Sequence, residues 1–303
     1  MSYYESMQNL IGNTPMVKLG KIGEEYTSDI FAKLELMNPA GSVKDRVGRY
    51  MIADAEEKGL LKPGGTIVEG TAGNTGIGIA FAALNKGYQV IFVVPDKFSM
   101  EKQKIMKALG AQIINTPRSE GMLGAAKKAE EIKASIKGAV SLQQFKNPSN
   151  PKAHYETTGP EIWKDMDGRI DYIVMGAGSG GTYSGVVQYL KEQDPNIVGV
   201  LADPDGSLIG GGTTHHDYNI EGIGNDFIPE TMNIKLVDQV FKITDREAFE
   251  SARELARKEG IIAGSSSGAA FAAVKKLAKT VDNKRIVVLF PDRGDRYFST
   301  DLY

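Results

Sequence analysis

The stretch Asn38-Pro39-Ala40-Gly41-Ser42-Val43-Lys44-Asp45-Arg46 places one lysine where a turn containing proline and glycine enters a helical pattern. The positive end of a helix and partial burial both lower the pKa of a lysine amine, which makes the amine a better nucleophile. Most lysines are solvated surface charges, so this stretch alone leaves the role of Lys44 open. Lys44 is a candidate covalent catalyst whose support has to come from elsewhere in the chain.

A second loop, Thr71-Ala72-Gly73-Asn74-Thr75-Gly76, follows the apolar pair Ile67-Val68 and continues into apolar residues at helical spacing. This pattern predicts a strand, a tight loop and a helix. The first N–H groups of a helix lack internal partners, and threonine and asparagine side chains add donors, so the loop suits a carboxylate or a phosphate. A plain helix cap formed by Asn74 or Thr75 explains the same residues.

Together the two loops resemble those of the fold-type II β-replacement enzymes that depend on pyridoxal 5′-phosphate, the cysteine synthases and cystathionine β-synthases. The resemblance covers nearly the whole chain and implies pyridoxal phosphate as the cofactor. Six further matching motifs are Ile11-Gly12-Asn13-Thr14-Pro15, Gln143-Gln144-Phe145, Thr157-Thr158-Gly159-Pro160-Glu161-Ile162-Trp163, Gly176-Ala177-Gly178-Ser179-Gly180-Gly181-Thr182, Glu221-Gly222-Ile223-Gly224 and Gly264-Ser265-Ser266-Ser267-Gly268.

Apolar strand-like runs alternate with amphipathic helical patterns, which indicates an α/β protein with parallel sheets covered by helices. Strands are predicted at 30–36, 89–94, 111–115, 172–175, 197–202 and 285–290, and helices at 99–109, 120–135, 181–193 and 245–259. The turn-rich stretch 146–151 predicts a domain boundary. The resemblance implies the fold-type II architecture, two three-layer α/β domains with the cofactor in the cleft between them. Residues 45–147 would form a smaller mobile domain carrying the 71–76 loop, and 1–44 plus 148–303 the larger one.

The segment Gly176-Ala177-Gly178-Ser179-Gly180-Gly181 also matches the G-x-G-x-x-G pattern of dinucleotide-binding proteins, so a nicotinamide-dependent oxidoreductase is the rival interpretation. Asp203 lies beyond the offset of about 20 residues expected for a ribose-binding acid, and no other motif supplies a hydride-transfer site. The same loop can hold a single phosphate. The resemblance implies that it binds the cofactor 5′-phosphate, through Gly176, Gly178, Ser179, Gly180, Gly181 and Thr182.

The resemblance also implies a role for each remaining site residue. Lys44 would form the Schiff base with the cofactor and then remove the substrate α-proton. Asn74 would bind the cofactor ring oxygen. Thr71, the backbone of Ala72, Asn74, Thr75 and Gln144 would bind the substrate carboxylate. The family commonly has serine where this chain has Ala72, so one hydroxyl is missing from the carboxylate site.

Ser266 matches the family position that faces the pyridine nitrogen. A hydroxyl there does not stabilise a protonated ring as a carboxylate would, so the cofactor would be a weaker electron sink and loss of a β-leaving group would be favoured. A helix cap formed by Ser265 to Ser267 is compatible with this role. The segment from Asp292 to Arg296, with Tyr297, could either close a structural network or lie near the ring nitrogen.

The net charge of −2 gives no electrostatic reason to expect nucleic acid or an anionic membrane as a partner. The chain has no cysteine, which excludes disulfides, thiolate metal sites and a cysteine nucleophile. The three histidines form no ligand pattern, because His215 and His216 adjoin in a polar loop and His154 stands alone, so no metal is expected. The N-terminal residues lack the pattern of a secretory leader, and a cytoplasmic enzyme is expected.

The predicted reaction is β-replacement on O-acetylserine or a related activated serine by a thiol. Sulfide would give cysteine and homocysteine would give cystathionine. The segments 203–207 and 221–229 look more like cystathionine β-synthases, which commonly carry an aromatic residue where this chain has Asn225, whereas the compact length resembles cysteine synthases. A serine or threonine deaminase, a threonine synthase or a non-catalytic binding protein remain alternatives. The resemblance implies a homodimer, and some cysteine synthases bind serine acetyltransferase.

Overall fold

The structure, a computed structural model, describes residues 3–303 and divides into two compact units. The small unit consists of the chain up to Ile11 together with Lys44–Asn150, and the large unit consists of Gly12–Val43 and Pro151–Tyr303. Each unit is an arrangement of parallel strands and helices, and the predicted alternation of the two is confirmed.

The predicted strands and helices are all present, with ends that differ from the prediction by at most two residues. The strands are β1 (Met16–Lys18), β2 (Asp29–Leu34), β3 (Thr66–Gly70), β4 (Gln89–Pro95), β5 (Gln112–Thr116), β6 (Tyr172–Gly176), β7 (Val198–Pro204), β8 (Gln239–Ile243) and β9 (Arg285–Phe290). The α-helices are α1 (Gly20–Gly23), α2 (Lys44–Glu57), α3 (Asn74–Ala83), α4 (Met100–Ala108), α5 (Gly121–Ser135), α6 (Ser149–Ala153), α7 (Gly159–Asp165), α8 (Gly181–Gln193), α9 (Asp245–Glu259) and α10 (Ser265–Leu277). A π-helical turn covers His154–Thr158, and short 3-10 helices cover Met7–Leu10, Glu35–Met37, Arg118–Glu120, Ile234–Leu236 and Gly294–Tyr297.

The large unit is built on a six-stranded sheet in the order β1-β2-β9-β6-β7-β8, in which only the β1 and β2 pair is antiparallel. Side chains of a strand alternate between the two faces, and the central strand β9 is apolar on both. Ile286, Val288 and Phe290 pack with α9 and α10 on one face, while Val287 and Leu289 pack with α7 and α8 on the other. Burial of both faces explains why this strand is continuously hydrophobic.

The small unit contains the parallel sheet β3-β4-β5, and Val140 extends it by pairing beside Ile67. Helix α5 covers this sheet with Ala125 and Ala129. Helices α2 and α3 cross at two glycines, because a Cβ on Gly48 would clash with the carbonyl of Gly78 and a Cβ on Gly78 would clash with the carbonyl of Lys44. The backbone of Lys44 therefore packs directly on α3.

Among residues 3–303, no helix is both long enough and apolar enough to cross a bilayer.

Replacement of Gly78 by alanine should destabilise the small unit by about 1–3 kcal/mol, because the added methyl group has to displace the backbone of Lys44. Urea unfolding of the two proteins measures the difference. Gly20→Ala is the matched control, since Gly20 lies in α1 with open space around the position of its Cβ, and its stability should stay equal or rise slightly. Equal effects of the two substitutions would contradict the close crossing of α2 and α3.

Candidate active site

The turn before Lys44 is held in the large unit by a buried polar network around Asn38. The side chain of Asn38 accepts the N–H of Gly12 at 2.9 Å and donates to the carboxylate of Glu35 at 2.8 Å. Thr14 donates its hydroxyl to the same carboxylate at 2.6 Å. This network explains why the motif around Gly12 and Thr14 accompanies the lysine motif in the sequence.

The chain is also fixed immediately before Lys44. The N–H of Val43 donates to the carbonyl of Pro291 at 2.8 Å, and the guanidinium of Arg296 donates to the carbonyl of Ala40. Lys44 follows as the first residue of α2 and is half-buried. A lysine at the positive end of a helix matches the position predicted for the nucleophile, whose role stays a prediction.

The predicted carboxylate loop joins the end of β3 to the start of α3. Thr71, Ala72 and Thr75 are buried and Asn74 is half-buried. The residue that caps α3 is Gly73, without a side-chain hydrogen bond, so the alternative that Asn74 or Thr75 serves as the cap is wrong. A Cβ on Gly73 would meet nothing within 4 Å, which leaves open space beside the N–H groups at the start of the helix.

Gln144 lies against this loop. Its side-chain oxygen accepts the hydroxyl of Thr75 at 2.6 Å, so the structure brings together two of the residues predicted to bind the substrate carboxylate. With the oxygen of Gln144 engaged by Thr75, the NH₂ group of the amide is the part that can donate to an anion. The donor set of the small unit therefore suits a carboxylate.

Glu69 is a half-buried residue whose carboxylate orders the segment before Gln144, and sequence reasoning missed it. One of its oxygens accepts the N–H groups of Leu142 and of Gln143, the latter at 2.9 Å, and the hydroxyl of Ser141 at 3.1 Å. Gln143 adopts a left-handed backbone with φ of 54°, which such bonds help to hold. Burial raises the pKa of Glu69 although the three hydrogen bonds lower it. The only sequence feature that could have pointed to Glu69 is its place, as a carboxylate two residues before Thr71.

The predicted phosphate loop, Gly176 to Thr182, connects β6 to α8 at the carboxyl edge of the large sheet. Ligands of open α/β sheets bind beyond this edge. Gly178 passes so close to Gly222 that a Cβ would clash with the carbonyl oxygen of Gly222, and Gly180 has the left-handed φ of 81°. Both positions require glycine, and they leave backbone N–H groups at the positive end of α8, which fits a phosphate.

His154 belongs to the surroundings of this loop, a place that its isolation in the sequence did not indicate. Its ring is fully buried, with Nδ1 2.9 Å from the hydroxyl of Thr158 and Nε2 3.1 Å from the hydroxyl of Thr182. A proton on Nε2 would be donated to Thr182, whose own hydroxyl hydrogen then points to another acceptor. With either tautomer, His154 fixes the side chain of Thr182 in the loop.

Ser266 lies in the first turn of α10 and is 3% exposed. The cap of this helix is Gly264, whose N–H donates to the carbonyl of Asp292 at 3.0 Å, and no serine side chain caps the helix. The predicted cap by Ser265 to Ser267 is therefore wrong. Ser265 instead accepts the N–H of Glu221 at 2.9 Å.

Asp292 and Tyr297 form a buried pair behind this helix start. The hydroxyl of Tyr297 donates to the carboxylate of Asp292 at 2.6 Å, and burial first, then the negative charge of Asp292, raises the pKa of Tyr297 well above its ordinary value. Arg296, next to Tyr297, binds the turn before Lys44. The structural network expected as one possibility for this segment is observed, and a position near the ring nitrogen stays a prediction.

Neither of the other histidines joins these groups. His215 contacts the carbonyl of Gly206 at 2.8 Å, and the Nε2 of His216 lies 3.6 Å from Asp205. Within residues 3–303 no three His, Asp or Glu side chains are close enough to hold a metal ion. The expectation of no metal stays a prediction.

Replacement of Glu69 by glutamine should change the pH dependence of stability. Because the pKa of Glu69 is raised above its ordinary value of 4.5, its stabilising contribution is present below that pH and is lost as pH rises through the raised pKa. Glutamine cannot ionise, so the unfolding free energy of the variant should increase relative to that of wild type as the pH rises above 4.5. Urea unfolding at several pH values measures this, with the exposed Glu57→Gln as control. A difference independent of pH would contradict the raised pKa.

Comparison with known proteins adds the family. Residues 7–292 match the family described as pyridoxal-phosphate dependent enzyme. The chain is 47% identical to an O-acetylserine dependent cystathionine beta-synthase of Bacillus subtilis, over 100% of this chain and 99% of that protein. It is 44% identical to a cysteine synthase of Staphylococcus aureus, over 99% and 97% of the two chains.

A solved structure agrees with these relatives. The crystal structure of an O-acetylserine dependent cystathionine beta-synthase from Helicobacter pylori superposes with a TM-score of 0.94 at 45% identity, and each chain is covered completely. The predicted α/β fold of fold-type II, the enzyme class and the pyridoxal phosphate cofactor are thereby confirmed. The chain belongs to the family of pyridoxal-phosphate-dependent enzymes.

Proposed function

We propose that the chain catalyses β-replacement on O-acetylserine, in which acetate leaves the β-carbon and a thiol takes its place. The contact between Thr75 and Gln144 at the open start of α3 carries this proposal, because the hydroxyl of Thr75 holds the side-chain oxygen of Gln144 and leaves the NH₂ group to donate to an amino-acid carboxylate. The names of the full-length relatives, O-acetylserine dependent cystathionine beta-synthase and cysteine synthase, support the same reaction.

Pyridoxal phosphate supplies the aldehyde that reacts with amines and the electron sink that acidifies the substrate α-carbon. In the proposed assignment Lys44 holds the aldehyde and later takes the proton from the α-carbon. Asn74 binds the ring oxygen, Ser266 faces the ring nitrogen, and the loop from Gly176 to Thr182 binds the 5′-phosphate. The burial of Ser266 and the glycines of the loop support these roles.

The carboxylate of O-acetylserine would bind to Thr71, Thr75, Gln144 and the backbone of Ala72. The methyl group of Ala72 supplies no hydrogen bond, so the backbone N–H groups of the helix start and the amide of Gln144 have to satisfy a larger share of the carboxylate. Glu69 supports this by fixing the chain that leads to Gln144.

Homocysteine is the nucleophile we favour, since the relative at 47% identity is an O-acetylserine dependent cystathionine beta-synthase. Sulfide is the second nucleophile to test.

The proposal further includes a homodimer, a cytoplasmic location and a complex with serine acetyltransferase, all from the family resemblance. Size-exclusion chromatography alone and with serine acetyltransferase tests the two assemblies.

The purified holoenzyme, given O-acetylserine and either homocysteine or sulfide, should release one acetate for each cystathionine or cysteine formed. With both thiols present, cystathionine should be the main product. Lys44→Ala should lower the turnover by at least about 10²-fold, because the group that moves the α-proton is lost. Lys62→Ala, at an exposed position, should leave turnover unchanged. Release of a keto acid without a thiol-dependent product would contradict the proposal.

Replacement of Thr75 by valine should raise the KM for O-acetylserine by about tenfold, because valine keeps the shape of threonine but removes the hydroxyl that holds the side-chain oxygen of Gln144 and so directs its NH₂ group. Thr75→Ser retains the hydroxyl and should stay close to wild type. Steady-state kinetics give both values, and the visible absorption of the bound cofactor checks that it is unaffected. Equal KM values for the valine and serine variants would exclude Thr75 from the carboxylate site.

A further inference from the structure

Three consecutive carbonyl groups of the phosphate loop all accept hydrogen bonds from one neighbouring segment, residues 224–231, which we call the outer segment. Two of the donors are side chains and one is a backbone N–H. The carbonyl of Ala177 accepts the N–H of Gly224 at 2.7 Å, that of Gly178 accepts the side-chain amide of Asn225 at 2.6 Å, and that of Ser179 accepts the hydroxyl of Thr231.

These bonds determine the direction of the N–H groups in the loop. In a trans peptide the carbonyl and the N–H of the next residue point to opposite sides. Because the carbonyls of residues 177–179 face the outer segment, the N–H groups of Gly178, Ser179 and Gly180 face away from it. Gly180 is left-handed and caps the start of α8, so successive N–H groups form an anion-binding concavity at the positive end of a helix.

We propose that Asn225 and Thr231 are positioning residues that hold the loop in its phosphate-binding orientation and thereby set the affinity for the cofactor. The inference rests on the proposed assignment of residues 176–182 to the 5′-phosphate. Neither residue is proposed to touch the cofactor; each acts through a carbonyl group on the outer side of the loop.

The surroundings of both side chains suit this role. Thr231 is 5% exposed, so the loss of its hydroxyl would leave the carbonyl of Ser179 without this donor in a buried place. The backbone of Asn225 is fixed independently of its side chain, because its N–H donates to Ser207 at 3.2 Å and its carbonyl accepts the N–H of Leu208 at 2.8 Å. A substitution at 225 therefore changes the donor while the outer segment stays anchored.

Substitutions of matched shape separate the hydrogen bond from packing. Asn225→Asp replaces the donating NH₂ with a carboxylate oxygen that repels the carbonyl of Gly178, which favours rotation of this peptide and turns the N–H of Ser179 away from the phosphate. Asn225→Ala removes the donor without adding a charge. Thr231→Val removes the hydroxyl at constant shape, and Thr231→Ser keeps it.

The experiment is an equilibrium titration of the cofactor-free proteins with pyridoxal phosphate and with pyridoxal, which lacks the phosphate. Asn225→Asp and Thr231→Val should weaken binding of pyridoxal phosphate by about 10-fold to 100-fold, while pyridoxal binding stays within about twofold. Thr231→Ser should behave like wild type. The phosphorus NMR signal of the bound cofactor should shift in the two weakened variants and not in Thr231→Ser.

The proposal would be overturned if the variants lost affinity for pyridoxal phosphate and pyridoxal equally, or if their affinity for both stayed unchanged. Equal affinities of Thr231→Val and Thr231→Ser for pyridoxal phosphate would also overturn it. If Asn225→Asp does not fold, Asn225→Ala replaces it, and we expect a smaller loss of affinity for pyridoxal phosphate with unchanged affinity for pyridoxal. Wild-type protein that binds both ligands equally would reject the phosphate assignment itself. Failure of the thiol-replacement reaction would reject the proposed function, and the binding ratios would still decide the inference, because they require no substrate.

Discussion

The N–H groups at helix starts, which lack the partner that a preceding helical turn would supply, are the constraint on which the predicted site residues depend. Four helices, α2, α3, α8 and α10, begin at Lys44, Asn74, Gly181 and Ser265, and the predicted site residues cluster at these starts. A helix start leaves its first N–H groups without an intrahelical partner and carries a partial positive charge. In the proposed function, an anionic substrate and a phosphorylated cofactor would supply the missing acceptors, and the same geometry would then serve folding and binding.

A helix start binds an anion well only if the loop before it is held rigidly. In the small unit, Glu69 gathers the N–H groups that precede Gln144, and Gln144 meets Thr75 at the start of α3. In the large unit, Asn225 performs the corresponding task from the outer side of the loop before α8. In both cases a polar side chain outside the predicted site hydrogen-bonds to backbone groups on the outer side of a loop. The donors on the other side of that loop therefore keep their direction.

Glycine makes these close approaches possible. Gly78 lets the carbonyl of Lys44 pack on α3, and Gly178 lets the phosphate loop pass against Gly222. Both glycines stand in sequence patterns that can be explained by turns alone. The structure instead shows that a side chain at either position would clash with backbone atoms. Glycine is therefore needed for lack of space, and not only for its backbone conformation.

The sequence by itself determined the alternation of strands and helices, the continuously apolar strand β9, and the positions of Lys44, of the 71–76 loop and of the 176–182 loop. Each of these is a local pattern of spacing, propensity or turn chemistry.

Only the tertiary structure decided which distant groups hold these loops. Asn225 lies 47 residues from Gly178 and His154 lies 28 residues from Thr182, and Gln144 reaches Thr75 across 69 residues. The caps were misassigned for the same reason: Asn74 and the serines of 265–267 are good cap residues in isolation, but Gly73 and Gly264 take that place, and Ser265 instead accepts the N–H of Glu221. The hydrogen-bond partner of a buried polar group is set by which donors and acceptors the tertiary fold places beside it, and these can be distant in the sequence.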